Sequence, residues 1–336
     1  MLTYDQILRD IKNNIFAPVY FLMGEEPYFI DNIVSMLEHN ILDEAMRGFN
    51  QSVVYGRDVT AKEVIDLSRR YPMMGNYQVV IVKEAQSMSS INEIETYLTS
   101  PLDTTILVIA HKYKKLDKRK SLYKKLTSSK SEAVVFQSDK IKDYAIPKWI
   151  ESEIGAKGFS ISPVALMLIS EYLGNDLGKI NNEISKLDIN LQKGAQITEN
   201  EVEENIGISK DYNLFELQNA MTEKDSLKAF RIVDYFESNP KEHPLQMISV
   251  VLHNYFMKIF KYHQLKNQPQ NKIASELGVP PFIVKEYVKA GKVFSTQKIM
   301  QIISDIRMLD LKSKGIGSVN ASSYGELKQL VFKVLN

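Results

Sequence analysis

Apolar positions recur along the chain in two rhythms, and the switch between them divides it. In the first stretch, short apolar runs at 17–23, 51–55, 78–82, 104–110 and 133–136 alternate with helically spaced segments such as 26–39 and 61–71. The run Val79-Val80-Ile81-Val82 is continuous and β-branched, the pattern of a strand buried on both faces of a parallel sheet. Strands alternating with helices predict an α/β domain with a parallel sheet over 1–139. At its start, Leu2, Ile7, Leu8 and Ile11 set among Asp5, Arg9, Asp10 and Lys12 read as an amphipathic helix without a signal-peptide core.

From residue 140 the rhythm becomes helical. Residues 140–209 read as a wholly helical domain, with Ser162-Pro163 as a capped helix start, Thr198 to Glu201 as a capping box and Trp149, the sole tryptophan, as core. Residues 210–336 carry longer helices at 245–265 and 296–311, the second capped by Ser295 and ended by Gly315. Between these two, Ile273 to Val288 has the layout of a helix-turn-helix around Gly278. A DNA-reading second helix needs an exposed polar face, whereas Phe282, Ile283, Val284, Tyr287 and Val288 are apolar.

One stretch breaks the usual polarity of turns. Tyr71-Pro72-Met73-Met74-Gly75 joins the helical segment, with Arg69 and Arg70 near its end, to the strand at 78–82. Pro72 and Gly75 supply the turn, yet its middle is two methionines. Methionine is the adaptable residue of promiscuous binding surfaces, so the pair suits a partner's pocket; tucked under the sheet, it would simply close the core.

Composition narrows the chemistry. A chain of 336 residues with 44% hydrophobic and 25% charged content matches a soluble protein of two or three domains. No apolar run approaches the ~18 residues of a membrane span. The absence of cysteine excludes disulfides, thiolate catalysis and Cys-ligated zinc, and fits a reducing cytoplasm. With 42 Lys and Arg against 41 Asp and Glu, polyanion binding requires a local patch. The densest is Lys112, Lys114, Lys115, Lys118, Arg119, Lys120, Lys124 and Lys125, opposed only by Asp117 and interleaved with Tyr113 and Tyr123. That pattern suits a phosphate-tracking surface. With Leu116, Leu122 and Leu126 it also reads, more simply, as a helix with a solvated basic face.

Nucleotide and metal chemistry lack their residues. After the first strand stands Gly24-Glu25-Glu26-Pro27-Tyr28-Phe29-Ile30-Asp31, where a phosphate loop needs glycines, a lysine and a hydroxyl. Lys83 follows the third strand, where a nucleotide hydrolase places a magnesium-holding Asp. The five histidines show no ligand spacing and no serine elbow is present, so no catalytic residue, metal or cofactor is expected.

In order and spacing the chain resembles the delta subunit of the bacterial DNA polymerase III clamp loader, over nearly its whole length. The likeness rests on Pro18-Val-Tyr-Phe-Leu-Met-Gly-Glu-Glu-Pro-Tyr-Phe-Ile-Asp31, Pro72-Met-Met-Gly75 with Val79-Val-Ile-Val-Lys-Glu-Ala85, and Leu116-Asp-Lys-Arg-Lys120. It continues in Gly174-Asn-Asp-Leu177, Asn182-Glu-Ile-Ser-Lys-Leu187 and Gly278-Val-Pro-Pro-Phe-Ile-Val-Lys285.

The resemblance implies an AAA+-like α/β domain without nucleotide site at 1–139, a helical lid at 140–209 and an all-α C-terminal collar that oligomerises at 210–336. It implies binding to the sliding clamp (beta), assembly with gamma/tau and delta-prime subunits, ATP handled by partner subunits, and primed DNA within the assembled complex. Gly178 and Lys179 stand near the place of a nucleotide-sensing arginine, and Gln137-Ser138-Asp139 lacks the arginine some neighbours lend. By the same likeness Met73 and Met74 are the clamp-binding residues, with Pro72 and Tyr71 shaping the turn, in place of a leucine and a phenylalanine found in many relatives. Lys285 and Lys289 are candidates for facing DNA. A helix-turn-helix DNA-binding protein is the alternative.

Overall fold

The apolar runs expected to be strands are strands. In chain order the first unit, Met1–Ile141, runs through α1 (Tyr4–Lys12), β1 (Val19–Gly24), α2 (Pro27–Asn40), α3 (Glu44–Asn50), β2 (Gln51–Tyr55), α4 (Ala61–Ser68), β3 (Gln78–Lys83), β4 (Thr105–Lys112), α5 (Ser121–Leu126) and β5 (Ala133–Ser138). This computed structural model describes residues 2–73, 75–209, 211–316 and 324–336. The five strands pair in parallel in the order β2-β3-β4-β1-β5, with Val80 opposite Leu107 and Phe21 opposite Ile109.

Alternation along the strands explains the layers. Phe21, Val80, Val82 and Leu107 face one side and pack with α4, α5 and the 3₁₀ turns of Ile91–Thr99. Leu22, Val79, Ile81 and Val108 face the other and pack with α1 and α2. Burial on both faces is why the runs of β1, β3 and β4 are apolar without a polar alternate, whereas edge strand β2 has no buried residue.

Three local expectations change. The helix expected over 61–71 ends at Ser68, with Arg69 as its C-cap, so Tyr71 is not part of its apolar stripe. The lysine-rich segment forms only the short helix α5; Lys112 belongs to β4 and the cations between lie outside any helix. Helix α3 has no strong periodic signature in its sequence, Glu-Ala-Met-Arg-Gly-Phe-Asn, and went unexpected.

The second unit, Lys142–Asn336, begins with α6 (Ile146–Ala156), β6 (Ser160–Ile161), α7 (Pro163–Leu173), α8 (Leu177–Asn190), β7 (Gln196–Ile197) and α9 (Glu199–Ile206). Residues 140–209 are therefore not wholly helical: β6 and β7 pair in parallel, beside an amide of Gly194 that donates to the carbonyl of Gly158 at 3.0 Å. The cap residues read from the sequence are in place, Ser162 accepting from the Ala165 amide and Thr198 forming its box with Glu201. Trp149 is only partly buried, because the inward stripe of α6 is Ile146, Ile150 and Ile154.

The unit continues with α10 (Leu214–Glu223), α11 (Ser226–Ser238), α12 (Leu245–Leu265), α13 (Gln270–Leu277), α14 (Val284–Val293), α15 (Thr296–Ser313) and α16 (Tyr324–Leu335). Ser295 caps α15 as expected, through the amide of Lys298. One apolar cluster joins these helices, and Met167 of α7 belongs to it. Within the helix-turn-helix layout, Gly278 takes the left-handed cap conformation after α13, and α14 buries Val284, Tyr287 and Ala290.

Candidate functional site

Two anchors hold the 71–75 turn. Upstream, α4 begins with a reciprocal cap between Thr60 and Glu63 and buries Ala61, Val64, Ile65 and Ser68 against the sheet. Its last turn is fastened where the Tyr97 hydroxyl donates to the Ser68 carbonyl at 3.2 Å. Downstream, the Gln78 amide donates to the Thr104 carbonyl at 2.8 Å as β3 starts. Between them the Met73 amide donates to Oδ1 of Asn50 at 2.8 Å, and Asn50, the last residue of α3, is wholly buried.

The side chains around this anchored backbone face solvent. Tyr71 is 73% exposed and Met73 76%, while Pro72 is half-buried and Gly75 takes φ +90°. Met73 thus does not tuck under the sheet. Met74 lies outside the described residues. Phe49, next to Asn50, is also exposed. Asn50 was invisible to sequence reading: it stands in a stretch without helical periodicity, and its partner is 23 residues away.

At the tip of β1, the group that a phosphate would meet is already engaged. The amides of Glu25 and Glu26 both donate to the Ser138 carbonyl, at 2.8 and 3.3 Å. Gly24 approaches so closely that a Cβ there would stand 2.0 Å from the same oxygen. Lys83 pairs with Glu38 at 2.8 Å. Lys112 pairs with Glu84 at 2.6 Å and with Asp31 at 3.0 Å. Burial pulls the Lys112 ammonium down, but its hydrogen bonds to Glu84 and Asp31 outweigh that and hold its pKa above the ordinary value. Among the described residues no group of three or more His, Asp or Glu side chains is arranged to hold a metal.

The two candidate DNA-facing lysines lie on exposed positions of α14 and differ in freedom. Lys289 pairs with Glu223 at 2.6 Å, which raises its pKa, whereas Lys285 reaches only a long 3.9 Å contact to Glu286.

Two family models match this chain. The model described as DNA polymerase III, delta subunit covers residues 20–137, and the model described as DNA polymerase III delta subunit, C-terminal domain covers residues 211–327. The chain belongs to the DNA polymerase III delta-subunit family. The delta-subunit family match takes in the sheet, the anchored turn and most of the C-terminal helices. DNA polymerase III subunit delta of Bacillus subtilis (strain 168) is 26% identical over 323 residues, spanning 92% of this chain and 91% of that protein. The solved structure of the Bacillus subtilis DNA clamp loader delta protein (YqeN) has 23% identity, covers 99% of both chains and superposes with a TM-score of 0.58, a likeness of fold. Membership makes this chain a delta subunit of the clamp loader type, an accessory subunit of DNA polymerase III. No helix among the described residues is long and apolar enough to cross a membrane.

Proposed function

We propose that this delta subunit binds the sliding clamp (beta) by inserting Met73 and Met74 into an apolar pocket on the ring, with Pro72 and Tyr71 shaping the tip. The observation that carries the reading is an apolar tip held out in solvent by a buried amide, Tyr71 and Met73 exposed above Asn50. Tyr71 and Met73, exposed on a backbone pinned through the Met73 amide, are already ordered before they meet a partner. Burying each methionine contributes about 1.5–3 kcal/mol. The pair therefore supplies much of the about 8 kcal/mol of a micromolar contact.

Ring opening follows from preference. A chain that binds the clamp better with one interface open shifts the ring toward that state without hydrolysing anything itself. The engaged amides of Glu25 and Glu26 and the Lys83–Glu38 pair support leaving ATP to partner subunits. In this proposal the α/β domain at 1–139 carries the plug, 140–209 is the lid, and 210–336 is the collar that assembles with gamma/tau and delta-prime around primed DNA in the cytoplasm.

Clamp closed around nicked circular DNA tests the opening step. With ATP absent, wild-type chain is expected to accelerate clamp release, and the Met73→Ala/Met74→Ala variant is not. Equal release by both proteins contradicts the assignment of opening to this turn.

A further inference from the structure

Several cations beside β4 have no task in clamp binding. Lys112 is held by Asp31 and Glu84, Lys115 by Glu25 and Asp139, and Arg119 by Asp117. Lys125 donates to the Glu95 carbonyl and the Thr99 hydroxyl. Lys114, Lys118, Lys120 and Lys124 are exposed and form no ion pair with any described residue.

Tyr113 stands at the head of this group in an unusual state. Its φ is +64°, a left-handed conformation that bulky side chains rarely adopt, and its ring is 58% exposed. The backbone on either side is fixed. The Lys112 amide donates to Gln86 Oε1 at 3.0 Å, and the Lys114 carbonyl accepts from His111 Nδ1 at 3.1 Å and from the Gly24 amide at 3.2 Å. A clamped outlier that holds an aromatic ring in water is the kind of strain that persists where it serves a contact. The loop also leaves the C-terminal ends of the strands, where open parallel sheets place their ligands.

We propose that Tyr113, with Lys114, Lys118, Lys120 and Lys124, forms a contact site for single-stranded nucleic acid. The ring stacks on a base while the lysines follow the phosphates, a division of labour that needs no base-specific donors. Backbone amides do not share the task, because Glu25 and Glu26 donate theirs to Ser138. The site uses none of the residues of the clamp-binding turn, so success or failure here is read separately from that of the proposed function.

The test is fluorescence anisotropy of the full chain with a labelled oligothymidylate of about 20 nucleotides and a duplex of equal length, titrated between about 25 and 200 mM salt. Tyr113→Asn removes the ring and keeps a residue that tolerates the left-handed backbone. It is expected to weaken single-strand binding by about 5- to 100-fold with the salt slope unchanged. Lys118→Ala/Lys120→Ala/Lys124→Ala is expected to flatten that slope by about 2. Both variants should bind the clamp as wild type does. The proposal is overturned by wild-type protein that ignores the oligonucleotide at low salt, by variants that match wild type, or by a preference for the duplex.

Discussion

Asn50 is the residue on which the candidate site turns. Its side chain is buried and accepts from the backbone of Met73, so it fixes the position of an apolar tip without touching solvent. Asn50→Ala leaves that amide without its buried acceptor, and losing such a bond costs about 1–3 kcal/mol. The variant is therefore expected to show a lower urea midpoint for the α/β unit and weaker clamp binding. Clamp affinity equal to wild type in a folded Asn50→Ala protein would mean that the turn needs no anchor. Pro72, Met73 and Gly75 were legible as an odd, apolar turn, but their anchor was not. A hydrogen bond between a side chain and a backbone group 23 residues apart leaves no periodic trace.

At the scale of elements, the strands were the most legible part. Each expected run became a strand, and the central strands β1, β3 and β4 are legible because burial on both faces demands continuous apolar sequence. Helix ends were less so. The apolar spacing of 61–71 reaches Tyr71, yet α4 stops at Ser68 and leaves Tyr71 exposed in the turn. The lysine segment misled for a related reason: leucine spacing suggested one helix, while ion pairs to Glu25, Asp31, Glu84 and Asp139 draw its cations to the ends of the strands. Nothing in a local window records those distant carboxylates.

Helix α7 carries a further consequence of burial. Glu171 lines a cavity of about 1190 Å³ with Tyr255, Lys258 and Tyr287, and its Oε2 is out of contact with solvent and has no hydrogen-bond partner among the described residues. Burial pushes its carboxyl up to about 7, against the pull of Lys258. The folded chain then holds a proton that the unfolded chain, with an ordinary carboxyl, gives up. Glu171 favours folding fully below the unfolded pKa, and that contribution is lost as pH rises toward about 7. Glu171→Gln keeps the shape without the charge. It is expected to raise stability at pH 8 by on the order of 1–3 kcal/mol, with the gain fading by pH 5, in urea titrations at both values. The opposite trend would place the carboxyl in a solvated environment.

At the scale of the molecule, a parallel α/β unit is followed by a helical one, and the delta-subunit models match parts of both. Within the α/β unit the tip of β1 is tied to the end of β5, where the Glu25 and Glu26 amides donate to the Ser138 carbonyl and Gly24 packs against the same residue, so the unit is a firm mount. The proposed function makes the 71–75 turn the part that it mounts. The most direct measurement is calorimetric titration of the full chain into the sliding clamp of the same organism, beside the Met73→Ala/Met74→Ala variant. Micromolar or tighter binding by wild type is expected, weakened at least about 100-fold in the variant with its circular dichroism unchanged. Equal affinities, or no binding by wild type, would contradict that role for the turn.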